Sequence, residues 1–171
     1  MNDLLRLALG LIVGTLLLVP LYLTLSALFP RRLARARAAA EQMPGRASLV
    51  GLINLLFFTA IGLALSGLAD LVRNELPRLP ALLVLGVLAV AVTIGLAAVA
   101  DLVGARLWPT AGAPRRLTAG TLALGLGSAF PVVGWFGLLP YAACLGLGAL
   151  ILSFFLRERP PAPPEAERLP L

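Results

Sequence analysis

Apolar residues along this chain come in long, nearly unbroken runs. They neither alternate like a half-buried strand nor form a one-sided helical stripe. The first run covers residues 7–29, LALGLIVGTLLLVPLYLTLSALF. Others cover 47–69 and 79–100, and a last one extends from Leu117 to Leu156 without a charged residue. A run of about 20 residues at a rise of about 1.5 Å crosses a bilayer core about 30 Å thick. The pattern predicts an all-α integral membrane protein.

The last run is too long for one crossing. Its 40 residues would make a helix about 60 Å long, twice the core thickness. The stretch SAFPVVGWFG, Ser128 to Gly137, is where it should break. Pro131 cannot donate a backbone hydrogen bond, and Gly134 permits the positive φ that a reversal often uses. Trp135 then starts the next helix near the membrane interface. Five spans result, over about 7–29, 47–69, 79–100, 117–130 and 135–156, with the last two as a tight helical hairpin. The 117–130 piece is short, about 21 Å at the helical rise, and whether it crosses fully is left open. Pro20, inside the first run, is expected to bend that helix. The segment ahead of that run is not basic, because Asp3 offsets Arg6, and no A-x-A-like cleavage site closes it. It therefore reads as an uncleaved helix rather than a signal peptide.

Charge between the runs gives the orientation. With the N-terminus outside and five crossings, the inner side carries the arginines of residues 31–46, Arg106, Arg115, Arg116 and those of the tail. Eleven of 14 then lie inside, leaving Arg6, Arg73 and Arg78 outside. Four crossings would divide them 8 to 6, a weaker match to the positive-inside bias. Arg31, Arg32, Arg35 and Arg37 belong to RRLARARAAAEQM, a segment of good helix propensity. It either lies along the membrane surface with its arginines on anionic headgroups or is a solvated loop. Residues 157–171 are rich in proline and read as a disordered cytoplasmic tail.

Composition agrees with the pattern. Of 171 residues, 60% are hydrophobic and 13% charged, and mean hydropathy is +0.97. The formal charge of +6 comes from loops between apolar runs, so it implies no nucleic-acid partner; membrane lipids are the expected one. Histidine is absent and Cys144 is the sole cysteine, which leaves no metal-ligand set. No run carries an acid or a base in its interior. Proton relays, ion-coupled sites and intramembrane proteolysis need such groups at depth. The reading is therefore a non-enzyme without a cofactor.

The remaining candidates concern packing. Gly10 with Gly14, Gly62 with Ser66, Gly125, Gly146 and Gly148 are small residues that let helix backbones approach. The same spacing serves a homo-oligomer or packing within one chain. Asn54, inside the second run, is expected to hydrogen-bond across helices as structural glue, the alternative being a substrate contact. Thr59, Thr93, Thr121, Ser128 and Ser153 can bond back to their own helices.

The order of features also resembles a known family. A first helix ends in FPRR, two helices follow PGRASLVGL, and the last pair carries PVVGWFGLLPYAACLGLGALIL. This resembles the small bacterial membrane domain that accompanies bactofilin-like, polymer-forming cytoskeletal proteins, most specifically at Pro131, Gly134, Trp135 and residues 146–149. The resemblance implies a bacterial inner-membrane anchor or scaffold with a protein partner, and no activity. The sequence departs from it in lacking β-helix repeats and in its more charged second loop. The alternative function is a small oligomeric transporter or channel subunit for a neutral or apolar solute.

Overall fold

Prolines divide the first half of the chain. The computed structural model describes residues 2–72, 76, 78–128, 130 and 133–155. Helix α1 (Asn2–Leu28) ends where Pro30 opens α2 (Pro30–Gln42), and the chain turns through 106° between them. A residue before proline is pushed out of the α region, and Phe29 sits at φ −127°, ψ 51°. Met43, which precedes Pro44, does the same at the other end of α2 with φ −138°, ψ 59°. Helix α3 (Pro44–Val72) follows. Pro20 stays within the continuous α1, where the Thr24 hydroxyl donates to its carbonyl at 2.8 Å. Helix α1 thus runs through Pro20 without a break, and the sharp turn of the chain lies at Phe29–Pro30.

Helices α4 (Arg78–Leu107), α5 (Ala113–Gly127) and α6 (Gly134–Ser153) complete the described structure, and all of its regular elements are helical. Three of them, α3, α4 and α6, are long and apolar enough to cross a membrane, and the bent pair α1–α2 makes up to four. With 15 residues, α5 is about 22 Å long, short of a core about 30 Å thick.

Size, more than polarity, decides what is inside. The core holds Ala36, Ala97, Ala98 and Ala100 around Tyr22, Leu33, Leu117 and Leu150. Larger side chains such as Leu56, Phe57, Leu63, Leu82 and Leu83 point outward and are exposed. A water-soluble fold would bury these first. In lipid there is no such drive, and close backbone packing through small residues holds helices together.

Helix α6 is the centre of that packing. It lies against α3, α4 and α2, while α5 lies along α4 and α1. Gly146 meets the backbone of Gly95 on α4, and Gly148 meets Ala47 and Gly51 on α3. Gly62 packs on Leu85, and Gly125 on Thr15. Gly10 and Gly14 face open space, and among the described residues nothing is near enough to touch an added methyl.

The expected tight hairpin is replaced by a looser arrangement. The backbones of α5 and α6 converge only at the turn, because α6 follows its glycine contacts to α3 and α4. Pro131 lies outside the described residues. Gly134 has no positive φ; it is the first residue of a π-helical turn and sits against the backbone of Gly127 and Ser128. Close approach, not reversal of φ, is what requires glycine there. The π turn spans Gly134–Leu138, and the Leu139 amide donates to the Gly134 carbonyl. Pro140 follows. Its ring has no N–H and would crowd the carbonyl four residues back, so a wider turn before it relieves the helix. Trp135, on this turn, is exposed.

Candidate functional site

Helix α2 has two faces. Leu33, Ala36, Ala39 and Ala40 are buried against the bundle. Arg31, Arg32 and Arg35 are exposed. Arg37 comes next to the buried face and turns inward. Its Nη1 donates to Asp101 Oδ2 at 3.0 Å.

Asp101 belongs to the C-terminal part of α4, beyond the third apolar run. A second arginine approaches it from α5. Arg116 is in the first turn of that helix, and its Nε lies 3.8 Å from Asp101 Oδ1. Glycine contacts bring these turns together: Gly104 meets the backbone of Arg116, and Gly120 that of Ala100. One carboxylate thus links α2, α4 and α5. Side-chain exposure is 14% for Asp101, 23% for Arg37 and 25% for Arg116. A carboxylate so covered needs compensation, and two guanidiniums supply it.

The clasp borders a cavity of about 430 Å³ under α2, lined by Ser26, Leu33, Arg37, Asp101, Arg116 and Leu117. Glu41 stands on its wall and is exposed. On the other side of α2, the Arg32 guanidinium lies 5.2 Å from the centre of the Phe154 ring, just past α6. This cation–π contact ties α2 to the end of α6.

Of the four arginines expected at the membrane surface, Arg31, Arg32 and Arg35 stay on the outer face. Arg37 is a correction. A protein carboxylate takes the place expected for a lipid headgroup. Asn54 is another. Its Nδ2 donates to the Val50 carbonyl of its own helix at 2.8 Å, so it bonds along α3 and not across helices. Thr93, Thr121, Ser128 and Ser153 also bond back to their own helices, at 2.6–2.7 Å.

Asp101 is hard to recognise from sequence because it lies at the end of an apolar run, where an acid reads as the start of a loop. One signal marks it: it is the sole acid between Glu75 and Glu158, and Arg106, Arg115 and Arg116 follow it closely. Comparison with family models, with curated proteins and with solved structures returns no match.

Proposed function

We propose that the chain is a five-crossing membrane protein, N-terminus outside and C-terminus inside, that works as an anchor or scaffold without catalytic activity. Its crossings are α1, α3, α4, α5 and α6, and α2 is the surface it presents on the inner side. The observation that carries this reading is the docking of α2. Its small apolar face is sealed onto α4 and α6 while Arg31, Arg32 and Arg35 point outward. A helix locked in this way offers a rigid basic surface, suited to an acidic protein partner or to anionic lipid.

The crossing pattern has two supports. Contacts of Asp101 with Arg37 and Arg116 place the α1–α3 and α4–α5 connections at one end of the bundle. Arg32 over Phe154 puts the end of α6 there as well. An even number of crossings would carry that end to the opposite side. The short α5 crosses where the bilayer thins locally. The cytoplasmic membrane of a bacterium and a polymer-forming partner are the setting that the family resemblance suggests. Transport fits less well. A space of about 290 Å³ lies between the apolar segments of α1, α5 and α6. Tyr22 and Leu117, packed in one core cluster, stand between it and the polar cavity.

The test joins topology to partnership. A cytoplasmic reporter fused after Leu156 is active and a periplasmic one silent. Photo-crosslinkers at positions 31 and 35 capture the same protein reproducibly, and one at position 36 does not. An active periplasmic reporter removes the five-crossing model. Recovery of only isolated monomer from every position removes the scaffold.

A further inference from the structure

The clasp leaves one arginine without adequate partners. Arg37 spends a hydrogen bond on Asp101. Arg116 comes only within 3.8 Å of it, beyond hydrogen-bond reach. Its Nε is the one buried side-chain nitrogen or oxygen among the described residues that has no hydrogen-bond partner. The Arg116 side chain is three-quarters covered, and a buried guanidinium N–H with no partner calls for an acceptor. The cavity of about 430 Å³ lies directly beside it.

We propose that this cavity holds a phosphate group, with Arg116 as its main ligand and Arg37 as the second. Three observations select a phosphate-bearing anion. Two guanidiniums face the cavity across one carboxylate, and a planar fork of donors matches phosphate oxygens. Ala113, the first residue of α5, lines the same wall, so the positive end of that helix adds to the attraction. Glu41, the only other acid on the lining, is exposed and its charge is screened by solvent. The lining is apolar at Leu33, Ala38 and Leu117, so the site suits a head group with a hydrophobic body as well as a free ion.

The full chain, purified and stripped of lipid in detergent, is titrated separately with phosphatidylglycerol and with inorganic phosphate. Native mass spectrometry counts retained lipid, and thermal unfolding reports stabilisation by either. One phosphatidylglycerol outlasting all others on collisional activation identifies a lipid source, and stabilisation by inorganic phosphate alone identifies a free ion. In both cases Arg116→Gln weakens the effect by about tenfold or more, the size of one charge-assisted hydrogen bond. Arg116→Lys restores part of it. Ala34→Phe fills the cavity from its exposed wall and blocks binding while keeping Arg116, so misfolding of one variant does not decide the matter. Absence of both effects in the wild-type chain, or binding by the Gln and Phe variants as strong as that of the wild type, overturns the proposal.

Discussion

Gly148→Val prevents the chain from reaching its folded, monodisperse state. The methyl groups would enter the backbone of Ala47 and Gly51 on α3, where even a single Cβ has no room. Neither partner can yield easily. Two residues earlier, on the opposite face of the helix, Gly146 holds α6 against Gly95 on α4, so moving α6 off α3 drives it toward α4. Overpacking a well-packed site typically costs about 1–3 kcal/mol and sometimes more. Here backbone meets backbone on two sides, which places the loss at or above the upper end. Gly10→Ala and Gly14→Ala are the controls. Both positions face open space in the chain, so they change stability by about 0.5 kcal/mol or less, apart from the gain in helix propensity. Thermal unfolding in detergent with size-exclusion profiles separates the cases. Intact folding of Gly148→Val would show that α6 is not seated between α3 and α4.

Asp101→Ala has the next largest effect. It removes the carboxylate shared by Arg37 and Arg116 and leaves two covered guanidiniums facing each other. Exposed pairs contribute about 0–1 kcal/mol, and breaking a buried pair costs about 3–5 kcal/mol. The partial exposure of this clasp puts the expected loss between these limits, at about 2–3 kcal/mol. A double-mutant cycle with Arg37→Gln isolates the pair. The two substitutions together cost less than the sum of each alone, because the second removes a charge that the first left unpaired. Additive losses would mean that α2 is not held through Asp101. By contrast, Asp70 and Arg78 form an exposed pair at 2.7 Å near the start of α4, and its removal has little effect.

The apolar runs made the helices legible, since lipid demands that every backbone group be satisfied within a segment. The prolines told less. Pro30 and Pro44 set the ends of α2, yet nothing in their neighbourhood indicated a turn of 106°. That angle is chosen by contacts with α4 and α6, which are distant in sequence. Gly146 and Gly148 could be named as packing residues from their setting alone. Their partners Gly51 and Gly95 could not, because a small residue does not specify which helix it will meet. The same ambiguity made the last two helices read as a hairpin. Asp101 shows a different limit. Its role comes from two arginines 64 residues before it and 15 after it, brought together by the close crossing of α4 and α5.

Cysteine accessibility along α2 shows directly whether the helix is docked. Cys144 is buried and is replaced by Ser to give a silent background. Single cysteines are then placed at Arg31, Arg35, Ala36 and Ala40, and inside-out membrane vesicles are treated with a membrane-impermeant maleimide. A docked α2 predicts rapid labelling at 31 and 35 and protection at 36 and 40, which are fully or almost fully buried. Rapid labelling at all four positions would mean that the segment is a free loop, and would contradict both the clasp and the surface proposed to rest on it.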